Sequence, residues 1–496
     1  MDAVTQSLKT YQMYVGGKWV DATSGQQFES FNPYTGKAWA LIPRADADDA
    51  DRAVRAAHKA FTSGDWPKLT ASQRGALMRK LGDLILEKSK FLAEIEVQDN
   101  GKLYSEMSSQ TAYMAQWYYY FGGLADKIEG AVLPSDKPDI FNFTRHEPLG
   151  VVVAIVPWNS PLLLTSWKLA PALAAGNTVV LKPSEFTSAS LLEFVRLVEQ
   201  AGFPPGVVNV VTGFGSEIGT PLVEHPMVAK ITFTGSDATG RRIYESAARG
   251  MKRVSMELGG KSPNIVFDDA DLDNAVKGAI SGIFAATGQT CIAGSRLLVQ
   301  RSIHDQFVEK LVNFAKTAKI GDPMRADTQV GPVTTPPQYK KVLDYIDVAR
   351  SEGAHAALGG RKAEQFGGYF VEPTIFTGVK NSMRIAQEEV FGPVLSVIPF
   401  EDEDDAIAIG NDVIYGLAAG VWTLNMRRAL NMSQKLQAGT VWINTYRAVS
   451  YMSPFGGYKQ SGIGRESGQE MIKEYLQTKS VWISTATEVP NPFVMR

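Results

Sequence analysis

The sequence predicts an α/β fold with two Rossmann-like domains, each built on a parallel sheet, and a small extension. Short apolar segments alternate with helical segments after residue 150, which is typical of a parallel sheet covered by helices on both faces. The alternation starts again after Lys261, so a second sheet is expected. A chain of 496 residues is long enough for two or three domains. We expect the first domain at 1–128 and 150–260, the second at 261–475, and the extension at 129–149 and 476–496.

The first domain is expected to open with a hairpin at 14–20, whose turn is Gly16-Gly17. Apolar residues then recur at helical spacing between 46 and about 128, which predicts helices over that stretch. The strands predicted for the first sheet are 151–156, 178–181, 207–211, 230–233 and 253–256. The helices predicted between them include 191–201 and 240–248.

The second domain shows the same alternation. Its predicted strands are 264–267, 297–300, 394–399, 418–421 and 440–443. Helices are predicted near 271–286, 303–319, 338–351 and 426–436. The segment 132–150 is expected to be extended, since it contains Pro134, Pro138 and Pro148, and the tail at 480–483 is predicted to be a strand. Ligands of such sheets bind beyond the carboxyl ends of the strands, so the functional residues are expected there.

The composition argues against several classes of partner. With 44% hydrophobic residues, 21% charged residues and a net charge of −2, the chain offers no electrostatic reason to bind nucleic acid or an anionic membrane. The segment 1–9 lacks the apolar core of a secretory signal. The longest apolar run, 151–156, is far shorter than the ~20 residues that span a bilayer. Together with a single cysteine, these features predict a cytoplasmic protein.

That cysteine, Cys291, is the strongest functional candidate. An inert buried thiol is the common role of a lone cysteine, and a metal site is disfavoured because the five histidines are scattered and no second thiol exists. Small residues around Cys291 let backbone and ligand approach closely. The carboxylate Glu257 precedes the Gly259-Gly260 pair, which could turn it toward the same space. A thiol and a separate carboxylate are the groups needed for covalent catalysis with an activated water.

The two stretches that hold these residues resemble the active-site signatures of the aldehyde dehydrogenase superfamily. They are the glutamate motif MELGGKSP, from Met256 to Pro263, and the cysteine motif GQTCIAGSR, from Gly288 to Arg296. The resemblance covers essentially the whole chain. It implies the aldehyde dehydrogenase fold, with an NAD-binding first domain, a catalytic second domain and an oligomerisation extension in which the tail pairs with 130–150. It also implies a homodimer or homotetramer.

The resemblance also implies where NAD would bind. The segment Phe233-Thr-Gly-Ser236 with Gly240 follows a strand and opens a helix, which would aim backbone N–H groups at a pyrophosphate. The glycines at Gly213, Gly215 and Gly219 miss the dinucleotide fingerprint by one residue and carry little weight. Glu185 would accept the 2′-hydroxyl of the ribose and repel a 2′-phosphate, which favours NAD over NADP. The expected cofactor residues are Ile155, Trp158, Lys182, Ser184, Glu185, Gly215, Phe233, Gly235, Ser236, Gly240, Glu389 and Phe391.

For catalysis, the resemblance makes Cys291 the nucleophile, and Asn159 with the Cys291 backbone N–H the oxyanion hole. The thiolate would attack an aldehyde, hydride would pass to the nicotinamide, and Glu257 would activate the water that hydrolyses the thioester. Lys168 and Glu466 match positions that in some members form a second acid–base pair relaying that proton. A plain salt bridge is an equal alternative for this pair.

The substrate pocket is expected to be mostly apolar or aromatic, as small-molecule pockets usually are. The polar exception is Arg447, which we hypothesise recognises a carboxylate or other electron-rich group on the aldehyde; an exposed arginine at the tunnel mouth is the alternative. The pocket residues implied by the resemblance are Trp117, Ser160, Leu163, Leu164, Trp167, Thr290, Ile292, Arg447, Val449 and Phe455. Tyr113, Tyr120 and Phe284 are further candidates.

Two other functions stay open at the level of sequence. A CoA-acylating semialdehyde dehydrogenase would transfer the acyl group to CoA, but it needs no water-activating glutamate, so Glu257 argues against it. A non-catalytic NAD-binding scaffold would be expected to have lost catalytic residues, whereas Cys291, Glu257 and Asn159 are all present.

Overall fold

The structure, a computed structural model, describes residues 8–488 and 491–494. Most of the segment 1–9, where no secretory signal was expected, and residues 489–490 and 495–496 of the expected extension therefore lie outside the described residues. The chain forms two large sheets with a parallel core, which confirms the predicted α/β class, and three small sheets.

The strands are short, as expected for an α/β protein. They are β1 Lys9–Thr10, β2 Met13–Val15, β3 Lys18–Val20, β4 Gln27–Asn32, β5 Lys37–Pro43, β6 Val132–Leu133, β7 Ile140–Pro148, β8 Val151–Ile155, β9 Thr178–Lys182, β10 Val208–Val210, β11 Val228–Thr234, β12 Arg253–Glu257, β13 Pro263–Val266, β14 Arg296–Gln300, β15 His355–Leu358, β16 Thr374–Thr377, β17 Val394–Phe400, β18 Tyr415–Gly416, β19 Ala418–Trp422, β20 Thr440–Ile443, β21 Tyr458–Lys459, β22 Gly462–Ile463 and β23 Leu476–Ser484.

The helices lie between these strands. They are α1 Ala47–Thr62, α2 Ala71–Asn100, α3 Tyr104–Leu124, α4 Pro161–Ala174, α5 Ala189–Ala201, α6 Gly215–Glu224, α7 Asp237–Arg249, α8 Leu272–Phe284, α9 His304–Ala315, α10 Pro336–Ser351, α11 Arg384–Gln387, α12 Glu403–Asn411 and α13 Met426–Lys435. Every predicted strand and helix has a counterpart among these elements, with ends shifted by a few residues.

The first large sheet has the strand order β22-β12-β11-β8-β9-β10-β2-β3. Its five central strands are parallel, as predicted. Its edges are antiparallel: the N-terminal hairpin closes one side, and β22 closes the other by pairing Gly462 with Glu257. A two-residue strand carries no periodicity, so the sequence pattern could not reveal this second edge.

The second large sheet has the order β15-β16-β17-β14-β13-β19-β20. All of its pairs are parallel except the edge strand β15. Strands β15 and β16 were not predicted, and neither was α4. Every residue of α4 is buried, so this helix has no polar face from which a helical period could be recognised.

The tail strand β23 pairs with β7 along its whole length, from Leu476 opposite Pro148 to Ser484 opposite Ile140. This pairing between the tail and the extended segment lies within one chain. Its surface exposes the apolar side chains of Phe141, Trp482 and Ile483. The assignment of this extension to oligomerisation, like the domain boundaries, stays a prediction. None of the described helices is long and apolar enough to cross a membrane.

The chain direction of the parallel strands brings several predicted site residues to one place. Lys182 and Glu257 are the last residues of β9 and β12, and Asn159 follows β8 by a short turn. Cys291 stands in the loop that joins α8 to β14 in the second sheet. The sites described below lie where these strand ends face one another.

Candidate active site

The loop that carries Cys291 is held in a strained backbone conformation. Ala286, Thr287 and Gly288 have φ angles of 53°, 54° and 71°, three consecutive left-handed residues. Only glycine adopts this region at little cost, so the other two need support from their surroundings. The Ala286 amide donates to Glu106 (2.9 Å) and the Thr287 hydroxyl to the Gly331 carbonyl (3.2 Å). These contacts fix the direction in which the chain enters the cysteine motif.

The Gly259-Gly260 pair forms the turn that the sequence predicted beside the thiol. A Cβ at Gly260 would lie 2.3 Å from the Cys291 carbonyl oxygen, and one at Gly259 would lie 2.9 Å from the Glu389 carboxylate. The Gly260 amide donates to that carboxylate at 2.9 Å. Any side chain at either position would therefore push the glutamate motif away from the cysteine motif or from Glu389.

Cys291 is partly exposed, and the carboxylates of Glu257 and Glu389 lie near its sulfur. Burial raises the pKa of the Cys291 thiol to about 12, and the negative charges of Glu257 and Glu389 contribute to this rise. The backbone N–H groups of Cys291 and Ile292 face the sulfur and act in the opposite direction. The cysteine therefore rests as a thiol at neutral pH, and its proton has to be removed when the sulfur attacks.

Asn159 lies against the same loop. Its side-chain amide is buried and donates to the Gln289 carbonyl oxygen, two residues before the thiol, at 3.0 Å. An amide has two N–H donors, so one remains for an oxygen bound beside Cys291. Gln289 is itself fixed, because its side-chain oxygen accepts from the Thr334 amide at 2.8 Å.

Glu257 occupies the end of β12 and is almost completely buried. Burial raises the pKa of its carboxyl well above the ordinary value, and the charge of Glu466 raises it further, against the opposing effects of Lys168 and Arg465. Lys168 of α4 forms an ion pair with Glu466, and both side chains are fully buried. The structure thus places the predicted pair next to the predicted base.

A cleft of about 600 Å³ opens at the carboxyl ends of the first sheet. Most of the predicted cofactor residues line this cleft. Those that line it are Ile155, Trp158, Lys182, Ser184, Glu185, Gly215, Phe233, Gly235 and Ser236. Residues that the sequence argument missed also line it, namely Ser216, Thr220, Thr239, Arg242 and Ser246; no motif marks them, since they are ordinary surface residues of α6 and α7.

Two helices, α6 and α7, begin at this cleft, so two positive helix ends face it. Fewer backbone donors are available at α7 than the motif suggested. The Gly235 amide donates to the Glu257 carbonyl (3.1 Å), the Ala238 amide to the Asp237 side chain (2.9 Å) and the Thr239 amide to the Ser236 side chain (3.3 Å). The first turn of α6, which begins at Gly215, supplies the second anion-attracting end.

Three of the predicted cofactor residues lie outside the cleft lining. Gly240 lies inside α7, where a Cβ would come within 2.5 Å of the Leu258 side chain, so its small size allows the helix to pack beside the glutamate motif. Glu389 lies at the Gly259-Gly260 turn. Phe391 has a φ of 58° and stacks edge-on against Trp158 at 5.3 Å, which places it at the rim of the cleft.

Glu185 and Lys182 stand at the end of β9 as a loose ion pair, 4.0 Å apart. Lys182 is buried, and burial lowers the pKa of its ammonium. Glu185 is partly exposed to the cleft. A carboxylate in this position can accept hydrogen bonds from sugar hydroxyls, and the neighbouring ammonium can donate to them. This donor–acceptor pair, with two helix ends for a pyrophosphate, fits a dinucleotide.

Several of the predicted pocket residues form an aromatic cluster in the apolar core against which Cys291 packs. Trp117 stacks on Trp167 at 5.7 Å, and Trp167 meets Phe455 at 5.0 Å. Tyr451, which the sequence argument missed, contacts Trp117, Tyr113 and Tyr120 at 5.3–6.0 Å. Ser160, Leu163, Leu164, Ile292 and Phe284 are buried, whereas Thr290 and Val449 are partly exposed.

Two cations border this cluster. Lys102 is buried, and its ammonium donates to the Ser160 hydroxyl at 2.7 Å. Burial lowers the pKa of Lys102 to about 8, Glu106 raises it, and the nearby Arg447 guanidinium lowers it further. Arg447 is half-buried, has a φ of 67° and donates to the Ser281 carbonyl at 3.3 Å. The sequence did not point to Lys102, because this lysine follows the glycine that ends helix α2 and belongs to no recognisable functional motif.

Comparison with known proteins agrees with the resemblance. The profile described as the aldehyde dehydrogenase family matches residues 19–481. A relative from Acinetobacter baylyi named (Z)-2-((N-methylformamido)methylene)-5-hydroxybutyrolactone dehydrogenase is 48% identical over 99% of this chain and 100% of the relative. The crystal structure of betaine aldehyde dehydrogenase from Staphylococcus aureus in complex with NAD+ aligns with a TM-score of 0.96 at 42% identity, covering 98% of this chain and 96% of that one. The NAD+ complex of aldehyde dehydrogenase from Bacillus cereus aligns with a TM-score of 0.95 at 46% identity, covering 96% and 97%.

The first prediction concerns the glycine turn. Gly260→Ala should lower stability by about 1–3 kcal/mol, the usual cost of overpacking, because the new methyl group would overlap the Cys291 carbonyl. Gly123→Ala in α3 is the matched control, since nothing lies within 4 Å of its added Cβ. Denaturant or thermal unfolding of both variants makes the comparison. Equal midpoints for the two variants would contradict the proposed contact.

The second prediction concerns the charge of Glu257. Because its folded-state pKa is raised, the folded protein binds more protons than the unfolded chain above about pH 4.5, so this residue makes stability fall as pH rises. Glu257→Gln removes the titrating group. The variant should therefore unfold at a higher temperature than the wild type, and the difference should grow as the pH rises above about 4.5. A difference that does not change with pH would show that Glu257 is not buried in this way.

Proposed function

Because this chain belongs to the aldehyde dehydrogenase family, we propose that it oxidises an aldehyde to a carboxylic acid with NAD, through a thioester on Cys291 that water hydrolyses. The observation that supports this most directly is the convergence of three groups. The Cys291 thiol, the Asn159 amide and the Glu257 carboxylate all meet at the junction of the glutamate and cysteine motifs.

The residues take the following roles. The Cys291 thiol gives its proton to the nearby Glu257 carboxylate, which releases it before the second half of the reaction, and the sulfur bonds to the aldehyde carbon. The oxygen of the resulting adduct accepts hydrogen bonds from the free N–H of Asn159 and from the Cys291 backbone N–H. Both donors stabilise its negative charge. NAD, when bound, accepts the hydride that leaves this carbon. Glu257 then takes a proton from water, the water oxygen bonds to the thioester carbon, and the carbon–sulfur bond breaks.

The raised pKa of Glu257 suits this role. A carboxyl of ordinary pKa is a weak base at neutral pH, whereas one raised by burial and by Glu466 holds a proton more strongly when it accepts one. The buried Lys168–Glu466 pair lies beside it and is the next acceptor along this path. A water-activating base in this position argues against transfer of the acyl group to CoA.

The cleft beside the first sheet would hold NAD. Glu185 and Lys182 would bind the adenosine ribose, the two helix ends would face the pyrophosphate, and Trp158 with Phe391 would border the nicotinamide. The Glu389 carboxylate, fixed by the Gly260 amide, would hold the nicotinamide ribose. The Glu185 carboxylate favours a free 2′-hydroxyl and so NAD over NADP.

The pocket favours an aldehyde with an anionic or electron-rich group. Aromatic rings alone suit many substrates, including cationic ones, because a ring face attracts cations. Here Lys102 and Arg447 border the rings and would repel a cationic group. A 5-hydroxybutyrolactone is the ring-closed form of a 4-oxo acid, which when open carries an aldehyde and a carboxylate. The lactone named for the Acinetobacter baylyi relative therefore belongs to the class that this pocket suits.

The test of this function measures NADH formation with a panel of aldehydes. The wild type should turn over with NAD, much less with NADP, and at the same rate when CoA is added. Cys291→Ala should form no NADH. Glu257→Gln should form about one NADH per subunit and then slow by about 10²-fold or more, since the thioester would accumulate. Full steady turnover by the Cys291 variant, or acceleration by CoA, would contradict the proposal.

A separate prediction tests the substrate class. Arg447→Ala should weaken kcat/KM for a short aldehyde with a terminal carboxylate by about tenfold to a hundredfold, the worth of a hydrogen bond to a charged group. The neutral aldehyde of equal length should change less than about threefold, since it loses no charged contact. Arg427→Ala, an exposed arginine of α13, is the control. Equal losses on both aldehydes would show that Arg447 does not recognise the carboxylate.

A further inference from the structure

The strand pair β11–β12 has one polar face. The side chains on it are Lys230, Thr232 and Thr234 of β11 and their register partners Arg253, Ser255 and Glu257 of β12. Alternate residues of a strand share a face, and paired residues of neighbouring strands point to the same side. The residues between them, such as Ile231, Phe233 and Met256, pack into an apolar cluster on the opposite face. These polar side chains form a stripe that is buried except at Arg253, and burying polar groups is costly unless they find hydrogen-bond partners.

The elements that cover this face are also polar where they touch it. Lys168 of α4 contributes its ion pair with Glu466, and the Thr232 hydroxyl donates to Glu466 at 3.4 Å. The short 3₁₀ helix Glu470–Tyr475 lies beyond them, and the Tyr475 ring lies 5.1 Å from the Lys230 ammonium. The stripe is therefore a continuous internal layer between the sheet and its cover.

Many polar atoms in this layer have no hydrogen-bond partner among the described residues. They are Lys230 Nζ, Thr234 Oγ1, Ser255 Oγ, Glu257 Oε2, Glu466 Oε2 and the Tyr475 hydroxyl. Buried polar atoms in proteins are nearly always satisfied, and those without a protein partner bind ordered water. Successive side chains on one face of a strand are about 6.6 Å apart, a gap that one bridging water closes.

The stripe reaches the surface at Glu474. Its carboxylate lies 3.7 Å from the Lys230 ammonium, and its side chain is 38% exposed whereas that of Lys230 is fully buried. A Cβ placed on Gly464 would lie 3.6 Å from the same carboxylate and 3.2 Å from Ser255. Glu474 thus covers the end of the stripe that is farthest from Glu257, with one side toward solvent.

The proposed reaction requires a route by which protons reach solvent from the buried site. In the first half, an aldehyde, the thiol and NAD+ give the thioester, NADH and one proton. In the second half, the thioester and water give the carboxylate, the thiol and one more proton. Glu257 takes up the proton of the attacking water and has to lose it before the next cycle, yet it is almost completely buried.

The Lys168–Glu466 pair is the relay that the family resemblance implies. Beyond it, we propose that the proton passes through bound water to Lys230 and leaves to solvent at Glu474. This inference rests on the proposed function. It assigns roles to Lys230 and Glu474, which touch neither substrate nor cofactor and act as proton-transfer residues.

The charge state of Lys230 suits transfer. Burial lowers the pKa of its ammonium to about 8, while the carboxylates of Glu474 and Glu466 raise it and the cations of Lys168 and Arg253 lower it. A lysine that titrates near neutral pH can both accept and release a proton. A purely structural ion pair between Lys230 and Glu474 would not need a lysine with a lowered pKa. This structural role is the alternative that the experiment has to exclude.

The experiment follows deacylation without NAD. A p-nitrophenyl ester acylates Cys291 directly, releases p-nitrophenolate in a burst, and then turns over at the rate of thioester hydrolysis. Glu474→Gln should leave the burst unchanged and slow the steady phase by about threefold to tenfold in dilute buffer, a modest general-base effect. Added imidazole, which accepts protons at the protein surface, should restore the wild-type rate.

Two further variants complete the test. Glu470→Gln, on the same 3₁₀ helix and paired only with the exposed Lys473, should behave as the wild type. Lys230→Met should slow the steady phase more than Glu474→Gln, without rescue by imidazole, since the break lies inside the protein. The proposed exit would be overturned if Glu474→Gln deacylated at the wild-type rate in dilute buffer. It would also be overturned if imidazole did not restore a deacylation rate that the variant had lost. If Cys291→Ala hydrolysed the ester as fast as the wild type, Cys291 would not be the nucleophile, and the proposed function would be overturned together with the exit.

Discussion

The contact between Gly260 and the Cys291 carbonyl is the constraint on which the site depends. It joins the strand end that carries Glu257 to the loop that carries the thiol, and the space for a Cβ at Gly260 is only 2.3 Å. The Gly260 amide also holds Glu389, which borders the cofactor side. One backbone turn therefore sets the relative positions of Cys291, Glu257 and Glu389.

The surrounding electrostatics follow from how deeply these groups are buried. Burial acts on Cys291 and Glu257 in the same direction, and raises the pKa of both. Both groups therefore hold their protons more strongly than they would in water. The buried Lys168–Glu466 pair keeps compensated charges nearby, and removing either partner would leave an uncompensated buried charge.

In the proposed substrate pocket, apolar packing and charge would select for different properties of the aldehyde. Trp117 stacks on Trp167, and Phe455 meets Trp167 edge-on, so the three rings form an aromatic wall whose shape depends on their mutual contacts. Lys102 and Arg447 supply positive charge at its border. The rings would set the size of an acceptable aldehyde, whereas the cations would favour a polar or anionic end, so selectivity would arise from two separate sets of residues.

The sequence by itself determined the fold class, because continuous apolar strands and helical periods are local properties of a parallel sheet. It also supplied the candidate thiol, base and amide, which stand in motifs of fixed spacing and resemble those of one family. It could not reveal α4, which is buried on all sides and has no periodic face, or β22, which is two residues long. Lys102, Tyr451 and the polar stripe from Glu257 to Glu474 were equally hidden. They are brought together by register and by packing between distant segments, and only the tertiary structure decides which side chains then share one face.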